Sequence, residues 1–177
     1  LPAPILKGRG ELVGDSVVME PKDFASKNFF PLHEQQAMLQ ALIFPESVPD
    51  SQRWDLRPED RQLVLTAMSQ LPRESDYPAY DPAEYYDSYV KYVMFGDSQA
   101  AMPDHIRVYN KVGQAYGYLT DNAYVVDEKN GVEFFLSATL LVNRNGIFND
   151  GVYEYEELGF PFLAELGRAL YEHASGR

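Results

Sequence analysis

The segment Ile106 to Gly117, reading IRVYNKVGQAYG, holds the residues best spaced for chemistry. Alternating apolar positions at Ile106 and Val108 run into Lys111-Val112-Gly113, and the chain leaves through Gly117. This pattern predicts a strand that delivers one lysine to its end before the chain turns back. Such a lysine suits a carboxylate or a developing oxyanion, although lysines at strand ends are most often simply solvated. The histidines His33, His105 and His173 are dispersed without paired spacing, so no metal site is expected. His105 lies just before the lysine strand and reads as a surface or cap residue. Carboxylates gather at Glu74 with Asp76 and at Glu154, Glu156 and Glu157, where a chain this acidic is expected to have solvated faces.

Composition narrows the function classes. The 177 residues are 45% hydrophobic, enough for one sizeable core in one domain or a large part of one. With 27 acidic against 15 basic residues, the net charge of -12 argues against nucleic acid or an anionic membrane as a partner. The absence of cysteine excludes disulfides, thiolate metal sites and a cysteine nucleophile. No apolar run approaches the roughly 20 residues that a membrane-spanning helix needs. The start at Leu1, with neither an initiator Met nor a signal-peptide core, is expected of a chain processed or cut from something longer.

Stepping along the chain, residues 1–30 are broken by prolines and glycines and read as an extended arm, with Val17-Val18-Met19 as a short edge strand. A helical region follows over residues 31–103. Pro31 opens a helix with Leu32, Gln35, Leu39, Leu42 and Ile43 on one side, and Pro45 ends it. A loop to Arg57 should be tacked onto the core by Trp54. A second helix starts at Pro58, with Leu63 or Val64, Met68 and Leu71 as its buried stripe, and Pro72 closes it. Arg73 to Tyr80 reads as a packed connector. Asp81, Pro82 and Glu84 carry a helix-start signature, so Tyr85 to Phe95 is expected to be a helix sandwiched between layers, its rings a core layer rather than a ligand platform.

Beyond residue 104 the period changes to 2. Residues 106–112, 116–127 and 132–143 read as an antiparallel meander, with Asn130-Gly131 as a hairpin turn. In the third strand Val132, Phe134, Leu136, Ala138, Leu140 and Val142 share one face while Phe135 and Leu141 take the other, so both faces should be covered. After a polar loop, Phe162 or Leu163, Leu166, Ala169 and Leu170 mark a terminal helix across the sheet. The expected fold class is α+β: a three-stranded or larger antiparallel sheet with helices before it and a C-terminal helix packed on it.

Tyr109-Asn110-Lys111-Val112-Gly113, then Ala115 through Tyr124 (AYGYLTDNAY), and Gly159-Phe160-Pro161-Phe162-Leu163 together resemble the C-terminal portion of the β-lactamase and penicillin-binding-protein superfamily of serine hydrolases. The match covers roughly the last 75 residues well. The resemblance implies a partial β-lactamase/transpeptidase-like fold in which Lys111 stands for the lysine of a Lys-(Thr/Ser)-Gly motif, lining the site and attracting a substrate carboxylate. Gly113 would let the substrate backbone approach the strand edge, and the Gln114 N–H would be an oxyanion donor. Val112 departs from the pattern, because it lacks the hydroxyl that usually meets a β-lactam carboxylate, so β-lactam hydrolysis is not implied.

The nucleophile is the other departure. Such enzymes use Ser-x-x-Lys at the start of a buried helix far upstream. The one formal match, Ser88-Tyr89-Val90-Lys91, sits one helix before Lys111, and with 10 serines and 6 lysines such a match arises by chance about one time in three. Residues 1–177 are therefore expected to be the C-terminal part of a serine hydrolase domain, inactive alone and completed by the remaining N-terminal part of the same polypeptide. The expected substrate is a small-molecule or peptide-like ester or amide, with no cofactor and no membrane insertion by this segment. By resemblance the compartment is periplasmic or extracytoplasmic. The alternative is a non-catalytic binding or interaction module derived from the same fold, working through its aromatic surface.

Overall fold

The computed structural model describes residues 3–176. Strands β1 (Leu6–Lys7), β2 (Gly10–Val13), β3 (Ser16–Val18) and β4 (Lys22–Asp23) come first, followed by helices α1 (Leu32–Ile43) and α2 (Pro58–Ser69). A broken turn, α3 (Tyr92–Phe95), leads to strands β5 (Ile106–Ala115), β6 (Tyr118–Asp127) and β7 (Val132–Leu141). The short strand β8 (Ile147–Phe148) and helix α4 (Phe160–Ala174) close the order. The central sheet is antiparallel in the order β5-β6-β7, which leaves β5 and β7 as its edges. The α+β class and the terminal helix thus hold.

Both faces of this sheet are covered, as the near-continuous apolar run of β7 requires. On one face Tyr124 packs with Leu39, Leu42 and Ile43 of α1 and Leu65 of α2, joined by Phe135. On the other, Val108, Ala123 and Val125 meet Val93 and Met94, while Leu119 meets Tyr92, Phe160 and Leu163. Leu119 and Leu163 are fully buried, and each such side chain is worth about 2 kcal/mol removed from water.

Several expected boundaries shift. Strand β5 continues through Ala115, so Lys111 and Gly113 lie within the strand rather than at its end. The reversal is the two-residue turn Tyr116-Gly117, with both residues at positive φ (56° and 80°), a pairing that matches the twist of a tight hairpin. In α2 the buried residue is Leu65, which packs on α1, while Leu63 is exposed and Arg61 donates to the Leu42 and Ile43 carbonyls. In α4 the buried stripe is Phe160, Leu163, Ala164 and Gly167, leaving Phe162 exposed. A Cβ on Gly167 would lie 2.5 Å from the Met94 nitrogen, so glycine sets how closely α4 approaches α3.

The expected helix over Tyr85 to Phe95 does not form. Buried polar side chains take backbone groups that a helix would have used: Asn110 Nδ2 donates to the Val90 carbonyl, and the Val93 amide donates to Asp121. Met94 sits at φ 69° inside the four residues of α3. Trp54, expected on the core, is half-exposed and held by its Nε1–H to the Met38 carbonyl at 3.0 Å. The arm is partly ordered, since β2 pairs antiparallel with β3 and parallel with β8. Among the described residues no helix is long and apolar enough to cross a membrane.

Candidate functional site

Lys111, Val112 and Gly113 line a groove of about 430 Å³ between the α1 side of the sheet and the Trp54 loop. Its apolar walls are Phe30, Met38, Leu39, Leu42, Trp54 and Met68, and its polar groups are Gln35, Thr120 and Asn122 besides the lysine. Lys111 Nζ is exposed and donates only to its neighbour's Val112 carbonyl, at 2.8 Å. No carboxylate lies within ion-pair distance of it among the described residues. Asn122 is committed to structure: it donates to the Gln35 carbonyl at 3.0 Å and accepts from Ser137 at 2.5 Å.

The ladder register decides which backbone groups of β5 are available. Ala115 and Tyr118 close the two-residue hairpin, so hydrogen-bonded pairs fall at Ala115–Tyr118, Gly113–Thr120 and Lys111–Asn122. Val112 and Gln114 occupy the alternate positions, and their N–H and C=O groups point away from β6, along an edge that no further strand covers among the described residues. The side chains alternate too. Lys111 faces the α1 groove, whereas Val112 packs toward Tyr92, Leu119 and Phe160. This packing explains why position 112 is apolar.

Gln114 is not in the Lys111 groove. It lines a second depression of about 370 Å³ with Tyr86, Tyr89, Tyr92, Glu156 and Phe160, and Tyr92 Oη lies 3.4 Å from Gln114 Oε1. Burial first, then Asp121, pushes the Tyr92 phenol up to about 12, so it is a hydrogen-bond donor at neutral pH. The structure therefore gathers Lys111, Val112 and Gly113 around one concavity and sets Gln114 on the other side of the same strand edge.

Ser88 and Lys91 are both buried, but not as a nucleophile and its base. Ser88 Oγ donates to the Ser98 carbonyl, whereas Lys91 Nζ donates to the Met68 carbonyl at 2.5 Å and to Asn110 Oδ1 at 2.8 Å. Asn110 in turn donates to Asp121 Oδ1 at 2.9 Å, and the Val93 N–H donates to Asp121 Oδ2 at 3.1 Å. Burial pushes the Lys91 ammonium down to about 8, partly offset by Asp121. It pushes the Asp121 carboxyl up to about 6 against the Asn110 and Val93 hydrogen bonds. This Lys91–Asn110–Asp121 network escapes motif reading. Its signal is a polar residue in the inward register, Asn110 after Ile106 and Val108 and Asp121 between Leu119 and Ala123, beside a lysine inside the apolar run YVKYVMF.

His105 lies near the start of β5 with Nε2 3.7 Å from Asp127 Oδ2, remote from Lys111 along the strand. Among the described residues no group of three or more His, Asp or Glu side chains is gathered to hold a metal. No protein-family model, curated protein or solved structure matches this chain.

Proposed function

We propose that this chain forms one wall of the active site of a β-lactamase-like serine hydrolase, its C-terminal portion, acting on an ester, amide or peptide-like substrate. The observation that carries it is the uncovered β5 edge beside Lys111. An extended substrate can add to that edge through the Val112 and Gln114 backbone groups, while the unpaired ammonium of Lys111 meets an anionic group in the adjoining groove. The Gln114 N–H, pointing outward, suits a developing oxyanion. Gly113 adds no side chain to the groove wall, and a Cβ there would touch only Thr120, at 3.9 Å. With Val112 turned into the core, the wall offers no hydroxyl at that position, which favours carbonyl substrates other than β-lactams.

Ser88 and Lys91 are engaged elsewhere, so the nucleophile is assigned to polypeptide outside these 177 residues. The compartment implied by the resemblance is extracytoplasmic. The test is labelling by a serine-directed fluorophosphonate together with turnover of activated esters. The isolated chain should stay unlabelled. The native-length polypeptide carrying an upstream Ser-x-x-Lys should label, and Lys111→Ala should cut its turnover about 100-fold. Serine-dependent turnover by the isolated chain, or a native reading frame with no Ser-x-x-Lys, would overturn the assignment. In the latter case a non-catalytic binding module stands, favoured by the exposed rings of Phe29, Phe30 and Trp54 around the grooves.

A further inference from the structure

Another concavity, of about 450 Å³, opens beside the β5–β6 turn between the N-terminal arm and the sheet, and adjoins the Lys111 groove through Phe30, Gln35 and Thr120. Five rings contribute to its walls: Phe24, Phe29, Phe30, Tyr116 and Tyr118. Phe24 stands edge-on to Tyr116 and Tyr118, at centroid distances of 5.9 and 6.0 Å, so these three rings brace one another as a fixed wall. Thr120 and Thr139, joined Oγ1 to Oγ1 at 2.7 Å, supply hydroxyls to the lining.

The charge of this pocket is opposite to that of the molecule. Its lining carries Lys7 and Lys27 and no acidic residue, in a chain with 27 acidic and 15 basic residues. Neither lysine forms an ion pair among the described residues. Lys27 Nζ lies 5.5 Å from the centre of the Tyr116 ring, which keeps the ammonium at the aromatic wall. Nearby Lys22 is already neutralised by Glu11.

Tyr116 adds an independent observation. It holds φ 56° in a turn position where Asn or Gly is usual, at a local cost of about 1 kcal/mol. What the strained backbone gains is a phenol ring placed against Phe24 and beneath Lys27.

We propose that this pocket binds a small aromatic monoanion, its flat body held between the Phe and Tyr rings and its anionic group met by Lys7 and Lys27. The site does not depend on the hydrolase assignment, because neither of these lysines lines the Lys111 groove and Lys111 does not line this pocket. The test is calorimetric titration at low salt with 2-naphthoate and with its uncharged counterpart 2-naphthalenemethanol. Naphthoate should bind one to one and more tightly than the alcohol. The double variant Lys7→Gln/Lys27→Gln should weaken naphthoate about tenfold or more while leaving the alcohol unchanged. Lys7→Arg/Lys27→Arg should retain naphthoate affinity, Tyr116→Gly should weaken both probes, and Lys111→Gln should change neither. Equal affinity for the two probes, binding of neither, or unchanged naphthoate affinity in a Gln double variant with the wild-type urea midpoint would overturn the proposal.

Discussion

Lys91 and Asp127 show how differently two buried charges can be held. Lys91 reaches a carbonyl, an amide oxygen and the field of Asp121, yet burial still lowers its proton affinity, so the pair remains only because each charge compensates the other. Lys91→Met should therefore destabilise the fold by about 3 kcal/mol in urea denaturation, by stranding the Asp121 charge. The double variant Lys91→Met/Asp121→Asn should recover part of that loss, and a cycle in which the two losses simply add would show the residues to be uncoupled. Asp127 is the opposite case. Burial raises its carboxyl pKa, but donors from Tyr171 and Asn130 outweigh that and bring it from the ordinary 3.8 down to about 2. A depressed carboxyl contributes stability that is fully present above the unfolded pKa and is lost as pH falls through the folded one. The urea midpoint should thus decline between about pH 4 and pH 2 through this residue, and Asp127→Asn should flatten that part of the profile while lowering the plateau above it.

At the scale of elements, what was legible in the sequence was local. Pro31 and Pro58 marked the starts of α1 and α2, and alternation with Asn130-Gly131 marked the β6–β7 hairpin, because first-turn prolines and tight turns act within a few residues. That Lys111, Val112 and Gly113 border one groove was not legible on those terms, since the groove is closed by α1 and the Trp54 loop, which are distant in sequence. Nor was Tyr85 to Phe95, since its start signature competes with Asn110 and Asp121, which lie distant in sequence and take its backbone groups into the core. The stripe of α4 was legible at Leu163 but not at Ala164 and Gly167, for a related reason: its closest approach is made by a glycine, which hydrophobic periodicity does not count. Gly167→Ala tests that approach. Helix propensity alone predicts a gain of about 1 kcal/mol, but the added methyl would meet the Met94 nitrogen and Val93 at 2.5 and 2.7 Å, and backbone cannot swing aside as a side-chain tip can. A net loss of about 2 kcal/mol in the urea midpoint is expected, and a gain would mean that α3 is free to retreat from α4.

For the whole molecule, the arm and the sheet are joined by a contact that no local pattern encodes. Strand β2 lies parallel to β8, with Gly10 opposite Ile147 and Glu11 opposite Phe148, across more than 130 residues of chain. Phe148 is fully buried, and its ring meets Phe24 at 5.0 Å, edge to face. Gly8 allows that seat, since a Cβ there would lie 2.5 Å from the Phe148 ring. One phenylalanine thus fixes both β8 and the segment carrying Phe24, the ring that walls the aromatic pocket. Phe148→Ala should remove about 4 kcal/mol where the arm meets the body, while Leu119, Val125 and Leu163 keep the central sheet closed around a separate set of contacts. The expected result is partial unfolding rather than collapse: limited proteolysis should cut between β2 and β4 in the variant and leave a resistant fragment spanning α1 to α4. A wild-type digestion pattern would show that the β2–β8 pairing holds the arm without Phe148, whereas loss of the resistant fragment as well would make arm and sheet one cooperative unit.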